Sequence, residues 1–171
     1  MPQYPKVELR SCTLHSCVHP RFKFILWLAI QNRLATVDRL MKFGIQVPPD
    51  CAFCGATLET FDHLYFECLS TRALWRRLCH WMGMYRSIQD WKAELEWVCM
   101  LAKRKTGIAE IIVSVFSMLV YSIWRERNKI RFQKGKLDAE GVLKEVALHI
   151  HIRSQTKKKW QQALQQFARN P

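Results

Sequence analysis

Four metal-binding side chains constrain this sequence more than any other feature. They are Cys51, Cys54, His63 and Cys68, spaced as C-x2-C-x8-H-x4-C. Three thiolates and one imidazole complete the tetrahedral ligand set of a structural zinc ion and leave no open position for a water nucleophile. Gly55 allows positive φ in a tight turn after the first pair, and a slightly adjusted helical turn can bring His63 and Cys68 to one ion. The spacing therefore predicts one structural Zn²⁺; the alternative is buried thiols beside an unrelated histidine.

A second group of metal-binding residues lies close to the N-terminus. It consists of Cys12, His15, Cys17 and His19. The segment is short and flanked by proline, so a second metal site stays an open alternative. Two further thiols, Cys79 and Cys99, lie in apolar helical patterns and are expected to be small core residues.

The cysteine count indicates a reducing compartment. Seven cysteines is an odd number, and the first residues, MPQYPKVELRSC, contain no apolar segment of a secretory signal. A disulfide framework is therefore not expected, and an intracellular location, nuclear or cytoplasmic, fits the sequence better.

Apolar periodicity predicts helices along most of the chain and no strand. The expected helices are Arg21–Leu34, a short helix capped by Thr36 and ending before Gly44, one turn at His63–Cys68, a helix capped by Ser70 or Thr71 and ending at Gly83, Asp90–Lys103, Gly107 to about Phe132, and a last helix from Asp138 through Phe167. The predicted fold class is all-α, a helical bundle with one zinc-organised Cys3His loop.

The segment Ile108–Trp124 is apolar enough that a membrane-spanning helix is an alternative to a core helix. It contains one charged residue, Glu110, and is flanked by Lys103–Lys105 and by Arg125. The run lies at the lower length limit for a spanning helix, and a helix that is apolar on every face is also typical of the centre of a bundle. We expect a core helix and no membrane partner.

The positive charge is concentrated in the last quarter of the chain. The net charge is +13, and residues 125–171 contain twelve Lys and Arg against four Asp and Glu, whereas residues 51–124 are nearly neutral. Basic clusters with aromatic neighbours are typical of surfaces that bind RNA or DNA backbone with little sequence specificity, although any one cluster can also be an ordinary solvated face. The candidate nucleic-acid-binding residues are Arg72, Arg76, Arg125, Arg127, Lys129, Arg131, Lys134, Lys157, Lys158, Lys159 and Trp160.

Catalytic constellations are not evident in the sequence. The aspartates are scattered singly, Asp90 and Glu94 read as a solvated helix face, and no glycine-rich loop is placed to cradle a phosphate. We expect no enzyme activity, because the carboxylate sets of a polymerase, an RNase H and an endonuclease are all missing.

From Pro20 to about Leu78 the sequence resembles the zinc-binding region downstream of reverse transcriptase in plant non-LTR (LINE-type) retrotransposons. The matching segments are PRFKFILWLAIQNRLATVDRLMKFG and CAFCGATLETFDHLYFECLSTRALWRRL, followed less distinctively by IWRERNKIRFQ. Within them the pattern falls on Trp27, Leu28, Asn32, Arg33, Leu34, Thr36, Asp38, Arg39, Leu40, Cys51, Cys54, Gly55, Glu59, Thr60, His63, Leu64, Cys68 and Trp75.

The resemblance implies zinc ligands at Cys51, Cys54, His63 and Cys68 and an origin in the C-terminal part of a retroelement polyprotein. Together with the proline-rich start and the charge distribution, it suggests an irregular N-terminal tail, 1–20, a zinc-binding domain of the reverse transcriptase type, 21–84, and a basic helical region, 85–171. The expected function is a non-catalytic, zinc-stabilised module that binds nucleic acid and can accompany a reverse transcriptase domain. The alternatives are a structural or protein-interaction module and a decayed retroelement fragment, since no polymerase palm accompanies the region.

Overall fold

Helices form the regular structure of the described part of the chain, residue 13 and residues 15–169 of a computed structural model. They are α1 (Pro20–Ile30), α2 (Val37–Lys42), a π-helical turn (His63–Glu67), α3 (Leu69–Trp81), α4 (Trp91–Ala102), α5 (Gly107–Gln133), α6 (Ala139–Ser154) and α7 (Lys158–Arg169). Over these residues the β-pairing is limited to an isolated antiparallel bridge between Asp50 and Leu58. The prediction of an all-α fold is confirmed.

Helix α5 is the central element of the bundle. It packs against α1, α3, α4, α6, α7 and the π-helical turn. Every residue from Ile111 to Val120 is buried. Within the described ranges α5 alone is long and apolar enough to cross a membrane, and 72% of its apolar window is buried inside the protein. The apolar run therefore serves as a core helix, which can be apolar on every face because other elements surround it.

Helix α1 is shorter than its sequence predicts. It ends at Ile30, and the expected end at Leu34 is wrong, because Asn32 adopts the left-handed conformation with φ of 50°. Asparagine tolerates this conformation, and the N–H of Arg33 then donates to the carbonyl of Leu28 at 2.8 Å. Helix α2 follows with Thr36 as its N-cap, as expected.

Helix α3 begins earlier than the sequence predicts. Cys68 is the N-cap, and neither Ser70 nor Thr71 caps the helix. Thr71 lies buried inside the first turn, where its hydroxyl donates to the carbonyl of Cys68 at 3.1 Å. The last cysteine of the motif and the first turn of α3 are therefore one structural unit.

The predicted last helix is two helices. A turn at residues 155–157 separates α6 from α7 and reverses the chain so that Trp160 reaches α5. The indole N–H of Trp160 donates to the carboxylate of Glu110 at 2.8 Å. Burial of Trp160 against α5 explains the break, which helical periodicity alone does not reveal.

Glu94 is buried, and its assignment to a solvated helix face is wrong. Its carboxylate accepts hydrogen bonds from the indole N–H of Trp75 at 2.8 Å, the guanidinium of Arg86 at 2.5 Å and the backbone N–H of Gln89 at 2.8 Å. A buried carboxylate requires such partners. Glu94 thereby joins α3 to α4, while Asp90 caps α4 by accepting from the N–H of Ala93.

One core crosses the boundary expected at residue 84. Phe66 packs with its ring 6.2 Å from that of Phe116 and 6.1 Å from that of Trp91. The hydroxyl of Tyr65 donates to the carbonyl of Val120 at 3.2 Å. The division at 84 stays a prediction, and most of the expected tail 1–20 lies outside the described residues. We call residues 51–68, which contain the four candidate ligands, the metal-binding loop; this loop packs directly against helices of the C-terminal half.

Candidate metal centre and basic surfaces

The four candidate ligands converge in space. The Sγ atoms of Cys51, Cys54 and Cys68 and a ring nitrogen of His63 lie within 4.8 Å of one another. Cys51 Sγ is 4.0 Å from Cys68 Sγ, and Cys54 Sγ is 3.4 Å from His63 Nε2. A tetrahedral zinc site separates such atoms by about 3.5–3.8 Å, so a small adjustment gives metal geometry. Cys51 and Cys68 are buried and Cys54 is exposed, which places the centre at the edge of the bundle.

A tight turn positions the first two cysteines. The N–H of Gly55 donates to the carbonyl of Cys51 at 2.9 Å, and the N–H of Cys51 donates to the carbonyl of Thr57 at 2.7 Å. Gly55 has φ of +63°, a conformation that costs a residue with a Cβ more than it costs glycine. Glycine at position 55 therefore allows the positive φ that the turn requires, as its place in the sequence suggests.

The turn at His63–Glu67 positions His63 and Cys68, and the expectation of one helical turn is corrected because Tyr65 and Phe66 have non-helical backbone angles. The N–H of Cys68 donates to the carbonyl of His63 at 2.7 Å, which closes the wider turn that a five-residue spacing requires. Within it Phe66 has φ of +83°, a strained value for a residue with a large side chain. Its ring is completely buried, so aromatic packing holds the strained backbone in place.

The local hydrogen bonds favour thiolate at Cys68. It accepts a hydrogen bond from the Cys51 thiol and further bonds from the N–H groups of Ser70 and Thr71, and these outweigh burial and lower its pKa to about 5. The same shared proton raises the pKa of Cys51. At Cys54 desolvation alone would raise the pKa, but the hydrogen bonds from the N–H of Ala56 and from the side chains of Thr57 and His63 together outweigh it and lower the pKa. Thiolate is the form of cysteine that binds metal.

A buried carboxylate ties the loop to α5. Glu59 has no exposed surface, and its Oε1 accepts from Arg127 Nη2 at 2.7 Å and Nε at 3.0 Å. Its Oε2 accepts from Arg131 Nη2 at 2.9 Å and from the N–H of Ala52, inside the Cys51–Cys54 turn, at 3.3 Å. Arg131 also donates to the carbonyls of Pro48 and Asp50. This Glu59 network holds the turn against the C-terminal half of α5.

The N-terminal part of the chain, which contains the four candidate ligands, matches a known protein family. Residues 1–75 match the family model described as zinc-binding in reverse transcriptase. This confirms the resemblance at the level of the family. The match contains all four candidate ligands and ends at Trp75, and the family is one of metal binding and not of catalysis. No curated protein and no solved structure is significantly similar to the chain.

The Glu59 network engages two arginines that the sequence analysis predicts to bind nucleic acid. Arg127 is buried in the Glu59 network, and the side chain of Arg131 is only 13% exposed there. Trp160 is completely buried as well. These three residues have little or no surface to offer a phosphate or a base, so their assignment is corrected. The two guanidinium groups meet the buried carboxylate of Glu59, and the indole N–H of Trp160 meets the partly exposed carboxylate of Glu110.

The remaining candidates differ in exposure. Arg125 is half-buried and pairs with Glu145 at 2.8 Å, and Lys157 lies 4.0 Å from Glu110. Arg72 is also half-buried, with its Nε enclosed. The exposed candidates are Arg76, Lys129, Lys134, Lys158 and Lys159.

Among the described residues, the N-terminal group of candidate metal ligands makes hydrogen bonds with nearby protein groups. His15 Nδ1 accepts from the N–H of Cys17 at 3.3 Å, and His19 Nδ1 accepts from the N–H of Arg21 at 3.2 Å. Cys17 Sγ donates to the carbonyl of Glu110, and burial raises the pKa of this thiol to about 12. Cys12 lies outside the described residues.

The sequence gives only indirect evidence for the residues whose hydrogen bonds orient the candidate ligands. Thr60 accepts from the N–H of His63 at 3.0 Å, and the Thr57 hydroxyl lies 3.2 Å from His63 Nε2. Glu59 and Thr60 belong to the pattern that carries the family resemblance, but their spacing does not reveal which side chain each one orients.

Proposed function

We propose that Cys51, Cys54, His63 and Cys68 bind one structural Zn²⁺. The convergence of their four ligand atoms within 4.8 Å carries this proposal, supported by the family match. The bound ion would neutralise the thiolates and cross-link the Cys51–Cys54 turn to the start of α3. All four positions are filled by protein, so the ion has a role in folding and none in activating water.

Metal analysis of the purified protein tests the zinc site. We expect one zinc per chain, displaced by cobalt(II) with the visible absorption of a tetrahedral thiolate complex. Cys54→Ser should abolish both signals, whereas Cys79→Ser, which lies outside the cluster, should keep them. A stoichiometry unchanged by Cys54→Ser would contradict the ligand assignment.

We infer that the module as a whole is a non-catalytic nucleic-acid-binding part of a retroelement reverse transcriptase. The match of residues 1–75 to a reverse-transcriptase family supports this context, and the net charge of +13 supports a polyanionic partner. Phosphate contacts dominate the affinity of such proteins and carry little sequence information. The partner is then the backbone of RNA or DNA.

Filter binding with single-stranded RNA and duplex DNA tests this function. Affinity should fall steeply between about 50 and about 200 mM salt, because bound cations release counterions from the nucleic acid. RNA of unrelated sequence should compete equally well. Absence of binding at low salt, with zinc bound and the fold intact, would contradict the proposed function.

A groove beside the metal-binding loop supports the second candidate function, docking onto a reverse transcriptase domain. The groove has a volume of about 280 Å³ and is lined by Leu40, Val47, Ile130 and Phe132. Phe132 is 79% exposed. Exposed apolar surface of this kind is typical of protein-interaction sites. Phe132→Ser should weaken binding of a polymerase domain supplied in trans while leaving RNA affinity unchanged.

A further inference from the structure

Two basic runs that are distant in sequence meet at one corner of the molecule. Lys103–Lys105 precedes α5, and Lys157–Lys159 leads into α7. A Cβ on Gly107 would lie 2.1 Å from the carbonyl oxygen of Lys159, so the two backbones are in direct contact. Lys159 Nζ donates to the carbonyl of Lys105 at 3.2 Å. We call these six residues, 103–105 and 157–159, the corner surface.

The scaffold beneath the corner surface is fixed by Trp160. Its ring is completely buried, and its N–H is bound to Glu110. The guanidinium of Arg153 lies 5.4 Å from the ring centroid and Lys157 Nζ lies 4.6 Å from it, both at cation–π distance. The position of the basic runs therefore depends on buried contacts and not on mobile surface side chains.

Four of the six cations of the corner surface have no ion pair among the described residues. The carboxylate of Glu110 contacts Lys157 and Trp160. Arg104, Lys105, Lys158 and Lys159 are exposed and form no ion pair with any carboxylate in the part of the chain that the structure describes. In contrast, the arginines of the C-terminal half of α5 are paired with Glu145 and Glu59.

We propose that the corner surface is where this protein holds the phosphate backbone of RNA or DNA. The proposal rests on the proposed function and names its site. Six cations on one rigid corner give a local field that attracts a polyanion, and the N-terminal end of α5 adds a favourable dipole. The family match favours nucleic acid over an anionic lipid surface, which the experiment includes as a competing outcome.

The test compares two triple variants of the full chain that remove the same charge. The corner variant is Arg104→Gln, Lys105→Gln and Lys158→Gln, which leaves Lys157 and Lys159 with their internal contacts. The control variant is Lys92→Gln, Lys136→Gln and Lys144→Gln, at exposed positions elsewhere. Both sets lie on the surface, so thermal melting should show both variants folded. Fluorescence anisotropy with labelled single-stranded RNA and duplex DNA gives affinity as a function of salt.

We expect the corner variant to lose at least about tenfold in RNA affinity. The slope of log affinity against log salt should become shallower by about two units, since each of the three lost phosphate contacts reduces its magnitude by roughly 0.7. The control variant should stay within about threefold of the wild type. Equal loss in both variants, or no loss in the corner variant, would overturn the proposed site while the proposed function stands. Wild-type protein that binds phosphatidylserine vesicles but neither RNA nor DNA would overturn the function and the site together.

Discussion

Glu59 is the residue through which the candidate metal centre and the helical bundle depend on each other. Its two oxygens contact Arg127, Arg131 and the N–H of Ala52, and it has no exposed surface. Burial alone would raise its pKa, but the hydrogen bonds and charges of the two arginines outweigh that effect and lower it. The carboxylate is therefore ionised in the folded protein at neutral pH, and its removal would leave the buried Arg127 and the largely buried Arg131 without an opposing charge.

Glu59→Gln should lower the free energy of unfolding by about 3 kcal/mol, the usual cost of breaking a buried ion pair from one side. The matched control is Glu140→Gln, whose pair with Arg77 is exposed on both sides, so its effect should stay below about 1 kcal/mol. Denaturant unfolding of the zinc-loaded proteins measures both. Equal effects of the two substitutions would contradict the Glu59 network.

His149 should make stability depend on pH. Burial, followed by the charges of Arg153 and His19, lowers its pKa below the ordinary 6.5, against a smaller opposing effect of Glu145. The unfolded chain then binds a proton that the folded chain rejects, so stability is lost as pH falls from about 6.5 through the lowered pKa. His149→Phe, which keeps the ring against Phe22, should reduce this loss in denaturant unfolding between about pH 7.5 and 5.5. Identical pH profiles in the two proteins, which share all metal ligands, would exclude this role.

At the scale of elements, α5 and α7 approach each other closely at Gly107. The start of α7 crosses α5 at Gly107, where a Cβ would come within 2.1 Å of a backbone oxygen. Backbone atoms cannot move aside as a flexible side chain can, so the helices must separate to accept any larger residue. Glycine at this position is required by close approach and not by a turn.

Gly107→Ala should destabilise the protein by about 1–3 kcal/mol and loosen α7. Gly135→Ala is the control, because a Cβ there meets only the Lys129 side chain at 3.4 Å or more. Hydrogen exchange should show faster exchange in residues 158–169 of the Gly107 variant alone. Unchanged exchange in α7 would contradict the close contact.

The sequence predicts elements better than it predicts the contacts between them. The four candidate ligands, α4, α5 and the apolar core follow from local spacing and periodicity. The inward turn of Arg127 and Arg131 does not, because it depends on Glu59, which is 68 positions away from Arg127 in the chain. Likewise, nothing local reveals that Lys105 meets Lys159, or that Phe66 adopts positive φ under aromatic packing. These errors thus fall where long-range packing decides the position of a charged or strained residue, whereas the misplaced end of α1 and start of α3 are local errors.

At the scale of the whole molecule, the candidate metal centre and the corner surface lie at different places on one helical bundle. The metal-binding loop contacts α5 near its C-terminal end through Arg127 and Arg131, whereas the corner surface surrounds the N-terminal end of α5. The candidate metal centre and the proposed phosphate-binding site therefore lie at opposite ends of the same helix. Zinc would contribute to folding of the entire bundle, because the loop and α5 share the buried Glu59 network.

The thermal midpoint with and without a strong chelator tests the central claim, that a zinc ion at Cys51, Cys54, His63 and Cys68 holds this fold together. The account predicts that chelation lowers the midpoint by at least about 10 °C, and that Cys54→Ser melts at the lowered temperature with or without chelator. Cys54 is exposed, so this substitution disturbs no core packing. A wild-type midpoint that chelator leaves unchanged, in protein shown by metal analysis to be zinc-free, would contradict the claim.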